Sequence, residues 1–364
     1  MTVKYYLGCD LQGQPHPFTF THEENGARRI CQYMHDRLEG QREFYAVVAN
    51  PCYTGSYLEL NPDLVIISEK GIGVVELKHH FGEIDCGDPF GHWRAGGAPI
   101  EAGRGFLNPH QQVQNYAEAI RKELAATPSR WLPGDPAQVS AIKLHTTVCF
   151  TNPFARLEKC REAIQYRYQP GKATRFWEKF TVTTAAEIPD WAMDMRFEVL
   201  SEADWFRSYQ LLPQEIERLC AAFFHAAEWD EMSQYVRQAR EPYGYLVLID
   251  EARSLTLPPF RIDREEVWVG RNASVCHVVI PQTYSLVSNR HARLIYAHRR
   301  FYFEDLDSTN GSYFPGNPQP LSGLVELKPN QRVLLGDRQP GPKVCQLELR
   351  VERLIAERVT EQIQ

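Results

Sequence analysis

The stretch Asn61-Pro62-Asp63-Leu64-Val65-Ile66-Ile67-Ser68-Glu69-Lys70-Gly71-Ile72-Gly73-Val74-Val75-Glu76-Leu77-Lys78 decides the fold of the first part of the chain. Two short apolar runs, Leu64 to Ser68 and Gly73 to Leu77, are rich in β-branched residues. They are bounded by Pro62 and separated by Glu69-Lys70-Gly71, so they read as a β-hairpin. Strand side chains alternate between faces, which puts Glu76 and Lys78 on one face and turns Val75 and Leu77 to the other. Asp63 stands at the mouth of the first strand, where it can lie beside Glu76 and Lys78.

Two carboxylates and a lysine so placed suit a hard divalent cation. Mg²⁺, or Mn²⁺ in its stead, takes a few carboxylate oxygens and keeps waters and substrate phosphate as its other ligands. Such an ion acidifies a bound water and polarises a phosphodiester, with Lys78 orienting the water or neutralising charge in the transition state. The ordinary reading stands beside it: Asp63 as a turn residue after Asn-Pro, and Glu76 with Lys78 as a solvated pair on an edge strand. The wider sequence bears on the choice.

Beyond the hairpin come Gly82, Trp93 and Asn108-Pro109-His110-Gln111-Gln112, the last opening a helical pattern from Val113 to Leu124. With Pro62-Asp63, Gly71-Ile72-Gly73 and Val75-Glu76-Leu77-Lys78, this series resembles the NERD (nuclease-related) domain, a branch of the PD-(D/E)XK nuclease-like fold. The likeness extends over residues 20 to 225 and is sharpest from 60 to 125. It implies an α/β domain with a mixed sheet flanked by helices. It also implies a catalytic set of Asp63, Glu76, Lys78 and Gln112, with Asp63 and Glu76 holding Mg²⁺ or Mn²⁺. The pattern departs from the family in one place. A glutamate commonly follows a glycine in the first helix, whereas Gly26 is followed here by Ala27, and the neighbouring carboxylates are Glu23 and Glu24.

A second set of motifs lies near the other end. Val267-Trp268-Val269-Gly270-Arg271 precedes Ser288-Asn289-Arg290-His291-Ala292 and Asp305-Leu306-Asp307-Ser308-Thr309-Asn310-Gly311-Ser312, with short strand-like segments at Val278 to Ile280, Ala292 to Tyr296 and Phe301 to Glu304. The order and spacing of Gly-Arg, Ser-x-x-His and Ser-Thr-Asn-Gly resemble a forkhead-associated (FHA) domain over residues 245 to 352, an all-β sandwich. Phosphothreonine is a dianion with three strong acceptor oxygens, and its capture needs forked or hydroxyl donors on rigid loops. The resemblance assigns Arg271 and Ser288 to the phosphate, Asn310 to the backbone of the bound peptide, and Asn289 and Thr309 to the pocket. Gly270, His291 and Gly311 fall to structural roles.

The organisation expected is therefore a NERD-type domain at 1–225, a helical linker at 226–244, the FHA domain at 245–352 and a tail at 353–364. A chain of 364 residues with 43% hydrophobic residues and 7 Trp, 17 Tyr and 18 Phe is large enough for two cores. Between the motifs, Ile142 to Phe150 and Glu198 to Leu200 suit strands, and Pro213 to Phe224 and Ala226 to Arg240 suit helices. A net charge of -6 argues against tight nonspecific binding of long nucleic acid.

Nine cysteines without a Cys-x-x-Cys pair read as reduced thiols of a soluble cytoplasmic protein. His79 and His80 follow Lys78 directly and face opposite ways, so at most one could join the site, and a surface or packing role is preferred. No stretch approaches a membrane span. Two functions follow: a metal-dependent nuclease acting on DNA or RNA and targeted by phosphothreonine recognition, or a catalytically inactive nuclease-fold signalling adaptor that binds phosphothreonine partners.

Overall fold

The computed structural model describes residues 2–10, 12–16, 18–55, 58–87, 91–126, 144–167, 180–197, 210–238, 242–249 and 259–351. The chain separates into two compact units, Met1–Gln238 and Ala239–Gln364. The strand expected at Glu198 to Leu200 and the tail at 353–364 lie outside the described residues.

The first unit is built on a seven-stranded mixed sheet. Its strands are β1 (Val3–Gly8), β2 (Tyr45–Ala49), β3 (Leu64–Ser68), β4 (Gly71–Lys78), β5 (His145–Phe150), β6 (Phe180–Thr184) and β7 (Ala226–Glu228), arranged in the order β6-β5-β4-β3-β2-β1-β7. The hairpin read from sequence is present as antiparallel β3 and β4, closed by the pairing of Ser68 with Gly71. On one side of it β5 and β6 run parallel to β4, and on the other β2 pairs antiparallel with β3.

Alternation along the hairpin divides the core into two layers. Leu64, Ile66, Val75 and Leu77 pack with Ala27, Ile30 and Met34 of helix α1 (Thr21–Leu38). Val65, Ile67 and Val74 turn the other way, toward Val113, Tyr116 and Ile120 of helix α2 (Pro109–Ala126). By the same period of two, Asp63, Glu76 and Lys78 belong to the α2 side of the sheet. Helix α2 is anchored at its start by Asn108, whose Oδ1 accepts from the Gln111 N–H at 2.9 Å while its Nδ2 donates to the Gly91 carbonyl at 2.8 Å. This is an N-cap that satisfies one of the orphan donors of a helix end.

Two sequence readings change here. Ala226–Glu228, expected to begin a helix, is strand β7, antiparallel to β1 through the pairing of Leu7 with Ala227; the helix that follows, α3 (Asp230–Arg237), also packs within this unit. The anticipated linker thus supplies two elements of the first unit. The cysteines are not all reduced: Cys86 and Cys160 form a disulfide across 74 residues, with Cα atoms 5.1 Å apart. Ala155–Arg156 pairs in parallel with Gly82–Glu83, which carries Cys160 onto Cys86, a proximity that no local spacing could reveal.

In the second unit two five-stranded sheets face each other among the described residues. One comprises Phe260–Ile262, Gly244–Ile249, Cys345–Arg350, Arg332–Leu335 and Ser312–Tyr313. The other comprises Val278–Val279, Glu266–Gly270, Ala292–Ala297, Arg300–Asp305 and Leu324–Leu327. Leu246, Leu248, Leu347 and Leu349 of the first meet Val267, Val269, Leu294 and Phe303 of the second in one buried core. This is the sandwich the sequence implies.

Candidate functional sites

In the first unit the hairpin brings the expected acids together at one end of the sheet. Asp63 Oδ2 accepts from the Leu77 N–H at 2.6 Å, which ties the entrance of β3 to the exit of β4. Lys78 Nζ lies 2.7 Å from Glu76 Oε1, both side chains being largely buried. Glu76 is only 2% exposed, and its second oxygen, Oε2, is buried without a hydrogen-bond partner among the described residues. A buried carboxylate oxygen left so is costly unless something else satisfies it.

Electrostatics point the same way. Burial, and then the charge of Glu76, holds the Asp63 carboxyl well above the usual range, against the Leu77 N–H and Lys78. Burial likewise raises Glu76, opposed chiefly by Lys78 and in smaller measure by the Gln112 side chain, which thereby reaches the acids. For Lys78, burial alone would lower the pKa, but the Glu76, Asp63 and Glu23 carboxylates outweigh it and raise the value, so the ammonium stays charged. Glu23, in the first turn of α1, thus lies within electrostatic reach of all three groups. The first-helix carboxylate in play is Glu23, where the family pattern would set one at Ala27.

Gln112, on α2, is 6% exposed and pinned on both sides of its amide. Its Oε1 accepts from the Gly103 N–H at 2.9 Å, and its Nε2 donates to the Tyr116 hydroxyl at 3.0 Å. Tyr116 was not singled out from sequence, although its i+4 spacing from Gln112 on one helix face is a legible signal. His79 does not join the acids; its Nδ1 is 3.0 Å from Thr151 Oγ1, and its ring lies against His22.

Among the described residues no group of three or more His, Cys, Asp or Glu side chains is arranged as a metal cage. The pair Asp63 and Glu76 still fits a divalent cation. Glu76 Oε2 is a buried acceptor without a hydrogen bond of good geometry, Asp63 stands beside it, and Mg²⁺ needs only one or two protein carboxylates.

In the second unit the three motifs meet on neighbouring loops. Arg271 Nε donates to the Val287 carbonyl, and Nη1 donates to Gln282 Oε1 at 3.2 Å. Two of the five guanidinium N–H groups are thereby committed to holding the loop, and three remain for an anion. Gln282 had no sequence signal. Ser288 Oγ accepts from the Thr309 N–H at 3.2 Å and donates to Thr309 Oγ1 at 3.5 Å, a long bond that a phosphate oxygen can replace.

The loop beneath is fixed by His291, which is fully buried. Its Nδ1 accepts from the Ser288 N–H at 3.0 Å, and its Nε2 faces Asp305 Oδ2 at 3.6 Å. Burial lowers the His291 pKa, against the pull of Asp305, which keeps the ring neutral and able to accept. Asn310 Nδ2 donates to the Leu286 carbonyl at 2.9 Å, bracing one loop on the other and leaving Oδ1 as an acceptor. Asn289 and Thr309 are exposed at the mouth, and the Asn289 carbonyl accepts from the Asn272 N–H at 3.0 Å.

Two glycines make this arrangement possible. A Cβ on Gly270 would come within 2.3 Å of the Asn289 carbonyl oxygen, and Gly311 has φ +78°.

The family NERD, nuclease-related domain, matches residues 22–151. The family FHA, FHA domain, matches residues 267–336. The chain therefore carries a nuclease-related domain and an FHA domain. Among similar solved structures is the FHA domain of the CT664 protein from Chlamydia trachomatis, at 24% identity and a TM-score of 0.24, covering 29% of this chain and 96% of that one. Another is FHA-1 of Mycobacterium tuberculosis Rv1747, at 25% identity and 0.22, covering 30% and 99%. A third is the N-terminal FHA domain from S. cerevisiae Rad53p in complex with a phosphothreonine peptide, at 16% and 0.26, covering 31% and 98%. No curated protein matches the chain. Among the described residues, no helix is long and apolar enough to cross a membrane.

Proposed function

We propose that the first unit hydrolyses phosphodiester bonds of nucleic acid with a divalent cation, and that the second unit brings it to phosphothreonine-bearing proteins. The observation that carries the nuclease reading is Glu76. It is a buried acid with one oxygen on Lys78 and the other without a hydrogen bond of good geometry, beside a second, half-buried acid, Asp63.

Asp63 and Glu76 would hold Mg²⁺ or Mn²⁺, which supplies an acidified water and a polarised phosphorus centre. Lys78, kept charged by its three acidic neighbours, neutralises charge that builds on the phosphate oxygens as water adds and the ester oxygen leaves. It is too basic to serve as the proton acceptor at neutral pH. Gln112, locked by Gly103 and Tyr116, holds the wall of the site in place.

In the second unit Arg271 offers its remaining N–H groups and Ser288 its hydroxyl proton to a phosphate. Asn310 Oδ1 accepts from the N–H of a bound peptide, and Asn289 and Thr309 line the approach. Such charge-assisted contacts are about twice as strong as neutral ones.

Cleavage of linear, circular and single-stranded DNA and of RNA by the wild type, with Mg²⁺ or Mn²⁺, tests the first half. Asp63→Ala should abolish it, and Lys78→Ala should lower kcat by about 10²–10³. Equal traces in all three proteins would sink it. Phosphothreonine peptides should bind the wild type and not Arg271→Ala.

A second reading, an adaptor without catalysis, is favoured by the net charge of -6 and by Ala27 standing where the family pattern has a glutamate. Failure of cleavage with peptide binding intact, and with phosphothreonine peptide unable to switch cleavage on, would favour it.

A further inference from the structure

Arg271 is braced from the side by a second loop, residues 281–287. That loop is built from two consecutive turns. The Tyr284 N–H donates to the Pro281 carbonyl at 3.0 Å, and the Val287 N–H donates to the Tyr284 carbonyl at 3.0 Å. Ile280, Tyr284 and Val287 are buried in the core of the sandwich, so the loop is fastened at its start, its middle and its end. Its carbonyls serve two neighbours: that of Val287 accepts from Arg271 Nε, and that of Leu286 accepts from Asn310 Nδ2.

At the first corner of the loop stands Gln282, exposed and yet doubly engaged. Its Oε1 accepts from Arg271 Nη1 at 3.2 Å, and its Nε2 donates to the Arg271 carbonyl at 3.0 Å. The amide therefore grasps one residue twice, at its guanidinium and at its backbone. The two partners fix which way the amide faces, since a guanidinium only donates and a carbonyl only accepts. A carboxylate in this place would lack the donor, and a lysine would lack the acceptor. A primary amide has both, and it carries no charge that would compete with a phosphate for the arginine.

We propose that Gln282 is a positioning residue for phosphothreonine capture: it sets the Arg271 guanidinium in its binding orientation before the ligand arrives and leaves the charge free for the phosphate. This rests on the phosphothreonine reading above. An arginine free to turn has several rotamers to surrender on binding, which weakens affinity by about two- to tenfold for each side chain so immobilised. Arg271 is held at three points, with Nε on the Val287 carbonyl, Nη1 on Gln282 and its backbone N–H on the Ser288 carbonyl at 3.2 Å. All three acceptors are neutral, so the guanidinium is oriented without an ion pair that the dianion would have to displace.

The experiment uses the full chain and a pool of fluorescent peptides with a central phosphothreonine and randomised flanks, the same pool with plain threonine serving as control. Anisotropy gives the affinity. NMR relaxation of the Arg271 Nε–H, assigned by its loss in Arg271→Lys, gives the order of that side chain in the absence of ligand. Gln282→Ala should weaken binding about fivefold. It should also lower the order parameter of Arg271 Nε, with the unfolding midpoint of the sandwich unchanged because the side chain is exposed. Gln282→Glu, equal in size, should weaken binding further than Gln282→Ala, since its carboxylate would pair with the guanidinium and repel the phosphate.

Wild-type affinity in Gln282→Ala overturns the positioning role while leaving phosphothreonine capture standing. Weaker binding with Arg271 Nε as ordered as in the wild type does the same, because Gln282 would then act on the peptide and not through the arginine. So does Gln282→Glu binding as tightly as Gln282→Ala. A wild type that binds the phosphorylated pool no better than the plain one overturns capture itself, and the positioning role with it.

Discussion

At the scale of single residues, the phosphate loop of the second unit depends on an absence. Gly270 sits where a Cβ would stand 2.3 Å from the Asn289 carbonyl oxygen and 2.9 Å from Cys276 Sγ. The oxygen belongs to backbone that also receives the Asn272 N–H, so it cannot give way as the tip of a long side chain could. Gly270→Ala should therefore destabilise this unit by about 3 kcal/mol, at the upper end for overpacking. It should also weaken phosphothreonine binding by shifting the loop that carries Ser288. Denaturant unfolding and a peptide titration check both effects; wild-type values in each would mean that the loop is softer than its contacts imply. His291 makes a complementary case. Its Nδ1 receives the Ser288 N–H, and His291→Ala should loosen Ser288 and lower peptide affinity about tenfold, the cost of a buried donor left unpaired. The same substitution should leave nuclease activity untouched.

At the scale of elements, helix α2 carries both the pinned Gln112 and a buried histidine. His110 is 3% exposed, and burial pushes its pKa down to about 3 from an ordinary 6.5. The unfolded chain takes a proton at the higher value and the folded chain only at the lower one. The stability that rests on a neutral His110 is therefore complete above pH 6.5 and is lost progressively as pH falls toward 3. The slope is about 1.4 kcal/mol per unit, or about 2 kcal/mol lost by pH 5. Unfolding of the wild type and His110→Phe at pH 7 and pH 5 tests this: the variant should lose less on acidification by about that amount. The helix was legible beforehand because its signals are local, a capping Asn108 before Pro109 and an apolar stripe through Val113, Ile120 and Leu124. The hairpin of β3 and β4 was legible for the same reason, and with it the convergence of Asp63, Glu76 and Lys78. What escaped depends on pairing between distant segments. Ala226–Glu228 is a strand because β1 offers it an edge, and Cys86 meets Cys160 because two short strands align. The contact of His22 with His79 escaped likewise, since the two rings meet only after α1 has docked. In the second unit Arg271, Ser288 and Asn310 came from ordered motifs, whereas Gln282 was invisible.

At the scale of the whole molecule, the two units have separate cores. Two layers on either side of the mixed sheet make up the first, and the interior of the sandwich makes up the second. The proposed ligands divide in the same way, a divalent cation and nucleic acid for one, a phosphothreonine peptide for the other. The proposed nuclease, acidic as it is, would gain from this arrangement, because binding a phosphorylated partner would raise the local concentration of whatever nucleic acid that partner carries, without demanding a basic surface. The thermal consequence is specific. Calorimetry of the full chain should resolve two transitions. A phosphothreonine peptide at about one hundred times its Kd should stabilise only one of them, by about 2.7 kcal/mol. Gly270→Ala should lower that same transition and leave the other in place, which identifies it as the sandwich. Mn²⁺ should raise only the remaining transition, and Asp63→Ala should remove that response, since the two acids would then no longer share a cation. If one merged transition answered to both ligands, the units would unfold as a single cooperative body, and the phosphothreonine partner would act on the nuclease site itself as well as on its location.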